Sequence, residues 1–156
     1  MYTPYLETYQ YHFPTEDDRA WLEEALTGQD VFTVDKALDV AENCDTTYQH
    51  FYISRIISRQ TDNQRLCWTL HDVNKTQGYV YLLAICTHPD FRGQGITRSI
   101  GQELTDWQRT VNPWGLSQNI IAFGDFISSP RDMYGDQWKD MGTTPDGLTM
   151  QVENIG

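Results

Sequence analysis

The chain has 156 residues, 39% of them hydrophobic and 13% aromatic, with a formal net charge of −11. That length accommodates one domain with a full core, expected to span residues 1–156, and the composition excludes a disordered chain. The charge excludes a phosphate-backbone binder, whose affinity would need clustered Lys and Arg; it suits a cationic substrate, or simply an acidic host.

The first strand is expected in "LETYQYHF", where apolar and polar residues alternate up to Pro14. "PTEDDRAWLEEALTGQ" follows as a helix, with Thr15 as N-cap, Asp17 and Asp18 at the positive end of the dipole, and Gly28 as its stop. Val34, Ala37, Leu38, Val40 and Ala41 give "TVDKALDVAENCDTTYQ" the spacing of a second helix. "FYISRIISRQ" and "RLCWTLHDV" read as antiparallel strands joined by the polar turn "QTDNQ". After "NKTQG" comes "YVYLLAICT", a nearly unbroken apolar run expected in mid-sheet with both faces buried. "TRSIGQELTDWQRT" resumes helical spacing through Ile100, Leu104 and Trp107, "NIIAFGDFI" is a strand, and "SPRDMYGDQWKDMG" a helix opened by Ser129 and Pro130 and closed by Gly142. "LTMQVENI" supplies the last strand.

No apolar run reaches membrane-spanning length, and "MYTPYLETYQYHF" lacks the basic start and apolar core of a secretory signal, so a cytoplasmic location away from membranes is expected. Cys44, Cys67 and Cys86 have neither metal-pair spacing nor an even number, which implies reduced thiols and no metal. His12, His50, His71 and His88 are scattered, without ligand spacing, and read as surface or hydrogen-bonded residues. The acids of "TEDD" and "LEE" read as the solvated side of the first helix, with an amine-binding groove as the alternative.

The order of elements predicts an α/β architecture, a mixed sheet with helices on its faces. In such sheets clefts form beyond the carboxyl ends of strands, beside helix N-termini, and "CTHPDFRGQGITRS" (residues 86–99) occupies that position. Successive backbone N–H groups at a helix start can hold a diphosphate without lysine, and Gly93 and Gly95 would let the backbone curl close to it. Arg92 would contact phosphate or brace the loop. The plainer alternative is a strand-to-helix turn with glycine for geometry and arginine for solubility.

"HPDFRGQGITRSI" resembles the acyl-coenzyme A binding loop of the GCN5-related N-acetyltransferase (GNAT) superfamily, V-x-P-x-[YF]-R-G-x-G-[IV]-[GA], from His88 to Ile96. The resemblance implies an acyl-CoA N-acyltransferase-like fold: a twisted, mostly antiparallel sheet of six or seven strands flanked by about four helices. It implies acetyl-CoA as cosubstrate, with the main chain of Ile85, Cys86 and Thr87 pairing with the pantetheine arm and Arg92, Gly93, Gln94, Gly95, Ile96 and Thr97 surrounding the pyrophosphate. The first two helices would border the acceptor site.

Three departures from the family pattern bear on activity. Thr97 stands where Gly or Ala is usual, so its side chain either crowds a phosphate or bonds to it. No carboxylate occurs between Lys75 and His88, where many members carry a glutamate base. Aligning Gly142 with the glycine ending the family's "YEKLG" segment puts Trp138 at the position of the acidic tyrosine, and an indole cannot lend a proton. Tyr134, one turn earlier on the same face of the expected helix, is the substitute catalytic acid by helical geometry and not by the motif, while Trp138 packs as a core aromatic.

Two functions are therefore carried forward. One is an N-acetyltransferase in which a small-molecule or peptide primary amine attacks acetyl-CoA directly in a ternary complex. The alternative is a non-catalytic protein of the same fold, a binding or structural component of a larger assembly such as a virion. A homo-oligomer or larger protein assembly is compatible with either.

Overall fold

In the computed structural model, residues 8–29, 31–124 and 128–156 are described. The strands β1 (Tyr9–His12), β2 (His50–Arg59), β3 (Arg65–Asn74), β4 (Tyr79–Thr87), β5 (Gln118–Phe123), β6 (Lys139–Thr143) and β7 (Thr149–Asn154) form one sheet in the order β1-β2-β3-β4-β5-β7-β6. Every neighbouring pair is antiparallel except β4 and β5, which run parallel and need the long crossover through a helix that separates them in sequence. The helices are α1 (Arg19–Ala25), α2 (Val34–Glu42), α3 (Ile96–Thr110) and α4 (Pro130–Tyr134).

Strand alternation builds the two layers. Ile56 and Ile57 are adjacent and both fully buried, because successive side chains leave a strand on opposite faces. Ile56 joins Trp68, Leu70, Leu22, Leu26 and Leu38 under α1 and α2. Ile57 joins Cys67, Ile100, Leu104 and Trp107 under α3. Each large side chain so buried contributes about 1.5–3 kcal/mol relative to exposure. Among the described residues no helix is long and apolar enough to cross a membrane.

Several expectations are corrected. The helix predicted over residues 129–142 ends at Tyr134, and Lys139–Thr143 forms the edge strand β6 instead. Gly135 adopts φ +124, outside the helical region, and Gly142 lies within β6 and closes no helix. Trp138 is therefore not one helical turn from Tyr134, although the two rings still sit 6.3 Å apart and Trp138 is fully buried. The second helix stops at Glu42, not Gln49, because Asp45 Oδ1 accepts from the Thr47 N–H and hydroxyl and turns the chain. Asp18 is not solvated: it is 3% exposed and pairs with Arg65 Nη2 at 2.8 Å. Leu6 and Glu7 of the first strand, and Asp125 to Ile127 of the fifth, lie outside the described residues.

β4 holds the central position expected of it but not the burial. Only Val80, Ala84 and Thr87 are buried along its length. Beside its second half the sheet opens, and Leu83 and Ile85 there wall a cleft.

Candidate active site

β4 pairs with β3 along almost its whole length, but with β5 only from Tyr79–Leu82 to Gln118–Ile121. Beyond Ile121, β5 pairs with β7 alone. The register between β3 and β4 matches Leu70 with Ala84 and His71 with Leu82, leaving Leu83 as an extra, bulged residue where the strands part. A bulge bends its strand and strengthens the local twist, which carries the end of β4 away from β5.

The gap is a cleft of about 550 Å³, walled by Leu83 and Ile85 of β4, Phe123 of β5, the loop before α3, and Met133 and Tyr134 of α4. Its size is that of a small-molecule site. A second hollow of about 420 Å³ meets it at Ile85, Thr87, Arg92 and Thr97, and is closed by Thr27 to Gln29. The His88 N–H donates to Leu66 O on β3, so alternation turns the main-chain groups of Thr87 and Ile85 towards the open edge.

The loop explains its glycines. Gly93 and Gly95 have φ of +78 and +74, left-handed values that L side chains resist, and among the described residues, flanking ones apart, no atom lies within 4 Å of where a Cβ would stand on either. The backbone there is shaped by the turn, and the space above it is open. α2 and α4 are capped by side chains, Thr33 Oγ1 accepting from Lys36 N–H and Ser129 Oγ from Asp132 N–H. α3 is not: its cap is Gly95, and among the described residues the N–H groups of Gly95, Ile96, Thr97 and Arg98 find no protein acceptor. A 15-residue helix thus presents its positive end, with unsatisfied donors, to the cleft.

Arg92 braces the loop. Its Nε donates to Thr87 O at 2.9 Å and its Nη2 to Thr27 O at 3.4 Å. Thr97 turns its hydroxyl to that of Thr87, 2.5 Å away, and so neither blocks the left-handed loop nor caps the helix. His88 is buried between layers: Nε2 meets Glu24 Oε2 at 2.6 Å, Nδ1 accepts from Asp90 N–H, and the ring stacks on Trp21 at 5.5 Å. Cys86 takes a weak contact from Gln29 Nε2 at 3.7 Å, and burial pushes its thiol up. Gln94 is exposed, its amide reaching back to Asp90 O.

The structure brings Ile85, Thr87, Arg92, Gly93, Gly95, Ile96, Thr97 and Tyr134 to one cleft, with Cys86 in the adjoining hollow. Tyr134 is half-buried, and its hydroxyl makes no hydrogen bond among the described residues. Burial pushes its phenol up to about 12, against the lowering influence of Arg98, so it is a neutral donor at physiological pH. Among the described residues lining the cleft there is no carboxylate and no histidine.

Sequence reasoning missed Gly101. It sits within α3, and a methyl group there would overlap the Tyr134 hydroxyl. The available signal was a glycine in the interior of a helix, which costs about 1 kcal/mol and so asks for a packing reason. Thr27 and Gln29 were also missed, because nothing local in "LTGQ" says which loop it will clasp.

No protein-family profile matches the sequence, and no curated protein is similar to it in sequence. Solved structures are similar in fold. A spermidine N-acetyltransferase from Vibrio cholerae, in complex with CoA and spermine, superposes with a TM-score of 0.70 at 8% identity, covering 95% of this chain and 96% of that one. RimL, a ribosomal L7/L12 alpha-N-protein acetyltransferase, gives 0.70 at 12% identity, with 98% and 93% covered. An N-acetyltransferase from Thermoplasma acidophilum in complex with coenzyme A gives 0.62 at 11%, with 94% and 99% covered. With the parted β4 and β5, the bulge at Leu83 and the glycine-formed entry to α3, this likeness over nearly the whole chain gives the protein the fold of the GCN5-related N-acetyltransferase superfamily.

Proposed function

We propose that the protein is an N-acetyltransferase that moves an acetyl group from acetyl-CoA to a primary amine within a ternary complex. The observation that carries this reading is the uncapped start of α3, where free N–H groups and a helix dipole face a cleft between two strands that part. A diphosphate would be held there by the main chain of Gly93 to Thr97, with Arg92 keeping the loop in shape. The open edge of β4 at Ile85 and Thr87 would pair with the amide-bearing pantetheine arm as a further strand would. Arg98 also lines the cleft and offers a cation to the nucleotide's phosphates.

Acetyl-CoA supplies an activated acyl carbon. The amine nitrogen, arriving deprotonated, forms the new C–N bond as the C–S bond breaks, and an N–H of β4 near the bulge stabilises the oxyanion. Tyr134 lends its phenolic proton to the departing sulfur and recovers one from solvent. No carboxylate of the described cleft takes the amine's proton, so solvent or a relay outside the cleft receives it. The catalytic gain then comes from positioning and oxyanion stabilisation. Acceptors named for the structural neighbours, spermidine in one and a ribosomal protein's terminal amine in another, set the range to screen.

The missing carboxylate also favours a second reading, a protein that keeps the fold and the cofactor groove without the chemistry. One set of measurements separates them. Acetyl-CoA should raise the melting temperature, and Gly95→Glu, which puts a strained, anionic side chain over the loop, should abolish the rise. Acetyl transfer to a panel of polyamines and peptide N-termini then tests the chemistry. Binding without transfer, or no thermal shift at millimolar acetyl-CoA, overturns the enzyme and favours the second reading, a non-catalytic binding or structural component.

A further inference from the structure

The α3-facing side of the sheet hides a cation that the acetyltransferase reading does not use. Arg55, in β2, is 3% exposed, and its side chain lines a cavity of about 30 Å³ between strands β2 to β5 and α3. Its Nη2 meets His71 Nδ1 at 3.1 Å, and its guanidinium lies 4.8 Å from the centre of the Tyr11 ring. Among the described residues its Nε and Nη1 have no acceptor in hydrogen-bonding geometry, although the Tyr11 phenol acts on the guanidinium as a hydrogen-bonding neighbour. Among the described residues no carboxylate pairs with it.

An arginine stays charged even in a protein interior, and a lone buried charge costs several kcal/mol unless something neutralises it. The groups around Arg55 do not. Burial holds the Tyr11 phenol up at about 12 and raises the Cys44 thiol, so both are neutral. Burial and Arg55 hold His71 well below its ordinary value, so it is neutral too. Because His71 Nδ1 accepts from Arg55, the ring's proton sits on Nε2 and makes that nitrogen another donor. Glu153, which Asn119 contacts at 3.1 Å, is already engaged by Arg109 Nε at 2.7 Å. Thr69, opposite Arg55 across β2 and β3, adds a buried hydroxyl with no partner among the described residues. Around Arg55 there is one positive charge that no described carboxylate neutralises, beside a small, partly open cavity of roughly one small ion's volume that Gln108 and Asn119 also line.

We propose that this cavity is a binding site for a single halide-sized anion, chloride in the cell, held by Arg55 Nε and Nη1 with His71 as a further donor. A water molecule fits the volume and accepts from the same donors, but it leaves the charge standing. The anion would tie β2 and β3 to α3 from within the core. It is a structural ligand, separate from the cleft, although Leu82, Gly101 and Ile121 line both spaces.

The test uses the intact protein. Crystals soaked in sodium bromide should give an anomalous peak within hydrogen-bonding distance of Arg55 Nε and Nη1. In solution at fixed ionic strength, replacing gluconate by chloride should raise the melting temperature by roughly 3–5 °C per tenfold increase in chloride above its dissociation constant. Arg55→Met should remove that dependence while keeping an apolar side chain of similar length. If the variant does not fold, the bromide map of the unsubstituted protein decides. No bromide peak, or equal melting in chloride and gluconate, overturns the proposal.

Discussion

The two halves of β4 are both largely apolar and have different fates. Tyr79 to Leu82 are paired on both edges, to β3 and to β5. From Leu83 onward β3 is the only partner, and the other edge looks into the cleft. Hydrophobic content therefore says that a strand is central, but not that its backbone is satisfied. Val80 in the first half and Ala84 in the second are both core, but beside Leu83 and Ile85, which wall the cleft, the main chain is left to bind.

That contrast can be broken at several points, beginning with the chemistry at the open end. Tyr134→Phe keeps the ring that packs near Trp138 and removes the proton donor, so kcat should fall about 100-fold with coenzyme A affinity unchanged. Steady-state kinetics with a separate binding titration checks it, and an unchanged kcat removes Tyr134 from the reaction. Gly101→Ala should act on the same atom from the other side, displacing the hydroxyl and lowering kcat by about tenfold.

A matched pair of truncations compares the halves of the strand directly. Val80 is 7% exposed and packs against Phe51, Ile53 and Val73, so Val80→Ala should cost about 2 kcal/mol of stability, read by denaturant melts, and leave coenzyme A affinity within about twofold. Ile85→Ala should reverse the pattern, with a smaller stability loss and an affinity loss of severalfold, because its side chain faces the cleft. Equal effects at both positions would mean that the open half is ordinary core.

The smallest effect is one of pH. An acid must be protonated to act, and a pKa raised from about 10 to about 12 moves its deprotonation limb to higher pH. The profile of kcat/KM should therefore climb as the acceptor amine deprotonates and show no falling limb between about pH 8 and 10. A limb centred near 10 would place the phenol in water. The same raised values at Tyr11 and Tyr134 contribute stability that is intact below about pH 10, where the unfolded phenols begin to ionise, and is lost as pH rises towards 12.

The loop was legible because its requirements are local. Gly93 and Gly95 need positive φ wherever the chain goes next, and "HPDFRGQGI" carries its turn, its helix start and its family likeness together. The order of strands and helices was legible for the same reason, since periods of two and of about 3.6 are written residue by residue. Where the local signal was mixed the reading failed: "GDQWKDMG" follows a short helix and has apolar residues at helical spacing, yet Gly135 leaves the helical region and β7 offers an edge to pair with.

Composition, periodicity and the glycine pattern were enough to determine an α/β chain with a glycine-rich turn into a helix after a central strand. Tertiary structure alone decided what each long side chain meets. Arg92 holds Thr27 and Thr87, Glu24 reaches His88, Tyr134 rests on Gly101, and Arg55 ends inside the core. The physical reason is range. Backbone preference depends on a residue and its neighbours, whereas these contacts join positions far apart in sequence, and only the packing of the two layers on the sheet brings them together.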